Sequence, residues 1–213
     1  MAKLEDLVES THISEAELAR NSFIERNILN IAKNAFNNEN IASIGSSASG
    51  TYIPCREYGG ISEDIDLEIV GNYDLMDTLP VIIGMREQIV DVCETALGLE
   101  GLHLELRKAE HHPEAGYKQV FVEVMDGDNK VIKIDFNYAD KEDGTSWYRP
   151  VFEGQLNYLL RNINPDERVE ARDYIVSQIR AFKQALKDHN VYSTRDGGLK
   201  GVGAEQLIVT LDT

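Results

Sequence analysis

Six residues, Asp64-Ile65-Asp66-Leu67-Glu68-Ile69, carry the most legible chemistry in this sequence. Side chains alternate across a strand, so the three carboxylates share one face and the apolar residues the other. Two aspartates side by side repel unless a divalent cation neutralises them or one of them holds a proton. Carboxylate oxygens suit Mg2+ or Mn2+. An amphipathic edge strand with a solvated acidic face has the same pattern. A second strand weighs against that reading, because Lys133, Asp135 and Asn137 alternate with Ile132, Ile134 and Phe136. If the two strands pair, Asp135 joins Asp64 and Asp66. Three such carboxylates can hold two divalent ions, one activating an attacking hydroxyl and the other neutralising a triphosphate, which is the requirement of phosphoryl transfer.

Just before the acidic strand stands Gly45-Ser46-Ser47-Ala48-Ser49-Gly50-Thr51, following a short apolar run from Ile41 to Ile44. Small residues let backbone N–H groups approach phosphate oxygens, and hydroxyls add donors. Gly45, Ser46 and Ser47 are therefore candidate nucleotide contacts. Far downstream, Ile175, Ile179, Phe182 and Leu186 form an apolar stripe at helical spacing, with Arg172, Arg180, Lys183 and Lys187 on the adjacent flank. That flank could reach a triphosphate from the lip of a cleft, or simply be a solvated face. Tyr192 follows the helix and could stack or hydrogen-bond. His111 and His112, beside Pro113, read as surface loop residues without a third partner at metal spacing.

The elements that must position these residues can be read from pattern. Ser14-Glu15-Ala16-Glu17 is a capping box opening a helix with Ile24, Ile28, Ile31 and Ala35 on one face. Strands are expected at Ile41–Ile44 and Asp64–Val70. A helix capped by Thr78, with Pro80 in its first turn, then carries Ile82, Met85, Ile89, Val92 and Ala96. Strands follow at Leu102–Ala109, Tyr117–Met125 and Lys130–Tyr138, the last two joined by a turn at Asp126-Gly127-Asp128-Asn129. A short helix near Val151–Arg161 and a long one opened by Asn164-Pro165 complete the chain. This order predicts an α+β fold, a mixed sheet with helices on one face, rather than a doubly wound parallel sheet. The 213 residues divide into a catalytic domain, 1–148, and a helical extension, 149–213, that completes a nucleotide cleft.

The net charge of -16 opposes general adhesion to polyanions, so any RNA partner requires a local basic patch. No run is apolar enough to span a membrane, the start is too acidic for a signal peptide, and the two cysteines, Cys55 and Cys93, lack metal spacing. These features predict a cytoplasmic protein with reduced thiols. Exposed apolar residues over Leu207–Leu211 would fit a homodimer or a further domain.

Taken jointly, Gly45-Ser46, Asp64-Ile65-Asp66 and Asp135 resemble the signature of the DNA polymerase beta-like nucleotidyltransferase superfamily. Within it, the sequence most resembles the catalytic head of archaeal-type (class I) CCA-adding tRNA nucleotidyltransferases. The shared features are Gly45 to Ile53, Glu105 to His111, Ile179 to Lys183 with Asn190-Val191-Tyr192, and Gly198 to Gly201 with Ala204 to Ile208. The resemblance implies metal ligation by Asp64, Asp66 and Asp135, triphosphate contacts from Ser46 and Lys183, and a further nucleotide contact from Tyr192. Ser49 stands where that family has arginine, the loop to the acidic strand is longer, and a histidine after the third-carboxylate strand is replaced near Tyr148 and Arg149. The sequence ends where the family continues into tRNA-gripping domains.

The expected function is transfer of a nucleoside monophosphate from an NTP, ATP or CTP, to a hydroxyl such as an RNA or tRNA 3′ end. A synthase of oligonucleotides or cyclic nucleotides, of the oligoadenylate-synthase-like type, is the alternative within enzymes. A regulatory module that binds NTP without turnover is the alternative outside them.

Overall fold

Ser14 opens the first long helix as its sequence requires: its hydroxyl accepts from the Glu17 N–H, and Glu17 returns a bond to the Ser14 backbone at 2.7 Å. In the computed structural model, which describes residues 4–71, 73–112, 117–139, 148–192 and 201–211, the chain divides into two units. One comprises Ser14–Ala48 and Pro54–Trp147, the other Met1–Ile13, Ser49–Ile53 and Tyr148–Thr213.

After a short helix α1 (Leu4–Ser10), which the sequence pattern did not suggest, come α2 (Glu15–Phe36), β1 (Ile41–Ile44) and the single-turn helix α3 (Gly45–Ser49). A two-stranded ribbon, β2 (Pro54–Cys55) with β3 (Ile61–Ser62), leads to β4 (Asp64–Val70). Ile24, Ile28 and Ala32 form the buried stripe of α2, while Ala35 is exposed.

The single helix expected from Thr78 is two, α4 (Leu75–Gly84) and α5 (Arg86–Leu97). Its cap is Asp74, whose carboxylate accepts from the Met76 N–H at 2.7 Å, and Thr78 is buried within α4. Gly84, a poor helix former, precedes the break, and Met85 caps both helices while its side chain enters the core. Gly98 ends α5 in the left-handed conformation at φ 65°.

Strands β5 (His103–His112), β6 (Tyr117–Asp126) and β7 (Asn129–Ala139) follow. The backbone at His111 and His112 is strand rather than loop; their side chains lie outside the described residues. Residues 126 and 129 pair across a two-residue turn in which Gly127 takes φ 57°. The sheet order is β1-β4-β7-β6-β5, with β4 and β7 parallel and the remaining pairs antiparallel.

One face of this mixed sheet carries Ile65, Leu67 and Ile69 beside Ile134, Phe136 and Tyr138, and then Val120, Val122 and Val124. All are buried in one cluster with Ile24 and Ile28 of α2, Ile82 of α4 and Ile89 and Cys93 of α5. Each fully buried aliphatic side chain contributes about 1.5–3 kcal/mol, which fixes the strand register. The architecture is α+β, a mixed five-stranded sheet with helices covering one of its faces.

In the helical unit, α6 (Tyr148–Leu160) is followed by a 3-10 turn (Pro165–Glu167) capped by Asn164, then α7 (Arg168–Asp188) and α8 (Gly201–Leu211). Leu156, Leu160, Ile175 and Ile179 form its core, with Ile163, Ala171 and Ile208 packed against them. The buried stripe of α7 is rotated from the expected one. Phe182 and Leu186 are only half-buried, whereas Arg180 and Lys183 are buried. No helix among the described residues is long and apolar enough to cross a membrane.

Candidate active site

Parallel pairing of β4 with β7 sets Asp66 directly beside Asp135, and Asp64 beside Lys133. The hydrophobic register of the opposite face enforces this juxtaposition, since Ile65 pairs with Ile134 and Leu67 with Phe136. Asp135 is buried and Asp66 partly so, while Asp64 is exposed at the strand's start. Glu68, further along the same face, is also buried.

Burial pushes the Asp66 carboxyl up to about 7, aided by the charges of Asp135 and Asp64 and opposed by Lys133. Burial likewise pushes Asp135 up to about 6, against the hydrogen bond and positive charge of Lys133. The ammonium of Lys133 donates to Asp135 Oδ2 at 2.6 Å and lies 4.6 Å from the centroid of the Phe121 ring. Asp135 Oδ1 is buried without a hydrogen-bond partner among the described residues. An orphaned carboxylate oxygen beside a second carboxylate is a donor set suited to a divalent cation, which Asp66 and Asp135 would hold, with Asp64 at the exposed start of the strand. Among the described residues, no three His, Cys, Asp or Glu side chains already form a metal cage. The donors present are thus a pair with an adjacent third carboxylate.

Lys133 is the positive charge that such an ion would have to displace or tolerate. Replacing it by methionine, Lys133→Met, is expected to tighten Mn2+ binding by about tenfold or more, since a unit charge beside a divalent ion costs on the order of 2 kcal/mol even at the dielectric of water. Calorimetric titration with Mn2+ reads this directly; unchanged or weaker binding would show that the ammonium does not compete with the ion.

Gly45 connects β1 to α3 with φ +73°, and a Cβ built there would lie 2.2 Å from Asp66 Oδ2. Glycine is required twice, by the left-handed backbone and by the carboxylate against it. The loop is fastened from behind by α2. Glu25 accepts hydrogen bonds from Ser43 and from Ser47, the latter at 3.0 Å. Asn21 donates to Ser47 Oγ at 3.1 Å and accepts from the Ser62 N–H at 2.8 Å. Ser47, a candidate nucleotide contact from sequence, therefore points its buried hydroxyl into the protein. Ser46, partly exposed, stays with Gly45 at the mouth of the turn. Sequence reasoning passed over Asn21 and Glu25, although a polar Asn21 three residues before Ile24 in an apolar stripe was a signal.

In the helical unit, Lys183 is 1% exposed. Its ammonium donates to the Thr51 carbonyl and hydroxyl, both at 3.0 Å, and to Glu205 at 2.5 Å. The Thr51 hydroxyl also binds Glu205 and meets Ser49 Oγ at 2.9 Å. Burial lowers the Lys183 pKa, opposed by the Glu205 charge. Arg180 donates twice to the Gly50 carbonyl, at 2.9 and 2.6 Å, and lies 6.0 Å from the centre of the Tyr52 ring. The two cations expected on a solvent-facing flank thus clamp residues 49–53 onto α7 and α8. Tyr192 lies half-buried just beyond α7. The Gly198–Lys200 part of the turn noted above lies outside the described residues, as do the side chains of Tyr148 and Arg149.

No protein-family profile and no curated protein sequence matches the chain. Solved structures do. The chain superposes on the Cid1 poly(U) polymerase with a TM-score of 0.56 at 12% identity, covering 95% of this chain and 52% of that one. For the polymerase core of TRAMP, an RNA surveillance complex, the values are 0.56, 14%, 97% and 53%. For a cytoplasmic RNA terminal U-transferase they are 0.52, 12%, 95% and 50%. The chain spans about half the length of these neighbours, which are RNA terminal nucleotidyltransferases and polymerases. The likeness carries the fold.

Proposed function

We propose that this chain is a metal-dependent nucleotidyltransferase that moves a nucleoside monophosphate from an NTP to the 3′ hydroxyl of an RNA. The observation that carries the reading is the parallel register setting Asp66 beside Asp135 on the sheet face opposite the apolar core, with Gly45 against Asp66. The fold shared with RNA terminal nucleotidyltransferases supports it.

Asp66 and Asp135, with Asp64 at the edge, would hold Mg2+ or Mn2+, which when bound would supply charge neutralisation of the triphosphate and activation of the hydroxyl. Asp135 positions the acceptor hydroxyl for attack on the α-phosphorus. The new bond joins the 3′ oxygen to that phosphorus, the bond to the oxygen bridging the α- and β-phosphates breaks, pyrophosphate leaves, and the hydroxyl proton passes to the Asp135 carboxylate and from there to solvent. Gly45 and Ser46 offer backbone N–H and hydroxyl donors to the triphosphate. The sequence resemblance favours ATP or CTP and makes a tRNA 3′ end one acceptor to test. The UTP selectivity of the Cid1 neighbour adds UTP to the nucleotides to be compared.

The test is transfer from each of four α-labelled NTPs to total RNA with Mg2+. Label entering RNA, dependent on Asp66, supports the proposal. Metal-dependent NTP binding without pyrophosphate release would overturn it in favour of a binding module, and label in small soluble products would point to a messenger synthase. Gly45→Ala should lower the transfer rate about a hundredfold by moving Asp66, because misplacement on the order of an ångström has that effect. Single-turnover kinetics with metal and NTP saturating would check it; a rate within threefold of wild type would mean that Gly45 does not set the carboxylate.

A further inference from the structure

The strongly acidic chain concentrates arginine at one place in its helical unit. A cavity of about 430 Å3 between the end of α6 and the start of α7 is lined by Asn157, Leu160, Arg161, Arg168, Val169 and Arg172. Among the described residues, three guanidinium groups and no carboxylate line it. The acidic residues nearby are segregated by helical geometry: Arg168 and Arg172, four apart, share a face of α7, while Glu170 and Tyr174 lie on the other side. Glu167 and Glu170 line the neighbouring depression with Ile163 and Tyr174.

Arg168 is oriented by its own backbone contacts, donating from Nε to the Ile163 carbonyl at 3.0 Å and from Nη2 to the Arg161 carbonyl at 3.2 Å. Arg161 stacks its guanidinium 3.4 Å from the centre of the Tyr158 ring, and Tyr158 is 57% exposed. Guanidinium groups held in plane offer paired N–H donors to phosphate oxygens, and an exposed aromatic ring accepts a base by stacking.

We propose that this cleft binds the phosphate backbone of single-stranded RNA, with Tyr158 as a stacking platform. The inference rests on the proposed RNA acceptor, and it names where a chain of net charge -16 has a local surface for a polyanion. An acidic protein is the competing partner, but it would make no use of an exposed aromatic ring stacked with arginine.

The experiment measures anisotropy of a labelled 15-nucleotide single-stranded RNA with the full chain, over a salt series, for wild type, Arg161→Glu and Arg172→Glu. Arg168→Gln is measured separately with its melting temperature, because that side chain also braces the turn. Each charge reversal is expected to weaken RNA binding about tenfold and to reduce the slope of log affinity against log salt by about one. Tyr158→Ala should weaken binding about fivefold with the slope unchanged.

Wild type without salt-dependent RNA binding, or variants with wild-type affinity and slope, overturns the proposal. Displacement of RNA by polyglutamate at equal charge concentration overturns it in favour of an acidic protein partner. The two readings separate cleanly. Transfer to RNA that survives charge reversal sinks the cleft and leaves the activity, whereas cleft-dependent RNA binding without transfer sinks the activity and leaves the cleft.

Discussion

Asp66→Asn should abolish nucleotide transfer, by a thousandfold or more, and at the same time stabilise the protein at pH 8. The activity loss follows, on the proposed function, from removing one of the two carboxylates that would hold the cation neutralising the triphosphate. The stability gain follows from linkage. The Asp66 carboxyl rises from 3.8 to about 7 on folding, through burial and its acidic neighbours. A carboxyl with a raised pKa binds its proton more tightly in the folded state, so its contribution is fully present below the unfolded value near 4. That contribution is lost as the pH rises through about 7. Wild type should therefore lose stability from pH 4 to 8, and the asparagine variant should lose less. The difference at pH 8 is on the order of 1–3 kcal/mol, part of which relaxation and Lys133 remove.

Added Mg2+ should reverse the order, raising the melting temperature of wild type more than that of Asp66→Asn, because a cation that binds only the folded carboxylate pair stabilises by mass action. Melting curves at pH 5 and 8, with and without Mg2+, contain all the comparisons. A variant as active as wild type, or one destabilised at pH 8 and indifferent to Mg2+, would show that the Asp66 carboxylate does not serve the metal site.

The carboxylate pair was legible in the sequence because a strand has a strict period of two. Ile65, Leu67, Ile134 and Phe136 must face the core, which leaves Asp66 and Asp135 on the opposite face whatever else the chain does. Only the pairing partner had to be guessed. The capping box at Ser14 and the turn at Gly127 were legible for a similar reason: each is a local bond or conformation that few residue types can supply.

What failed to show was anything depending on rotation about a helix axis or on distant polar partners. On α7 the apolar spacing of Ile175, Ile179, Phe182 and Leu186 is a valid stripe. Ile175 and Ile179 do enter the core, but beyond them Arg180 and Lys183 rather than Phe182 and Leu186 are buried, reaching the Gly50 and Thr51 carbonyls. Those acceptors lie about 130 residues away in sequence, where periodicity has no reach. The cap at Asp74 was missed for a smaller reason, since Thr78 four residues later offers an equally good cap on paper and only burial decides between them.

Lys183 yields the second large effect, and the experiment separates its two possible roles. By resemblance it is a triphosphate contact; in the structure it is buried with Glu205 and Thr51 at hydrogen-bonding distance. A buried ion pair stripped of one partner leaves the other charge uncompensated, so Lys183→Met should destabilise by about 3–5 kcal/mol. Replacing both members, Lys183→Met with Glu205→Leu, leaves no buried charge and should recover most of that loss, although Thr51 loses its acceptor and about 1 kcal/mol stays unrecovered. Denaturant titration of the wild type, both single variants and the double variant closes the cycle.

NTP affinity is then measured on the double variant, which is folded by that test. If Lys183 serves only to clamp residues 49–53 onto α7 and α8, NTP binding in the double variant returns with stability. If the ammonium leaves Glu205 for the triphosphate when nucleotide arrives, stability returns and affinity does not. The geometry favours the clamp, because reaching a ligand would require Lys183 to exchange three hydrogen bonds within a buried site. An NTP affinity still reduced tenfold or more in the folded double variant would reject that reading and restore the lysine to the nucleotide.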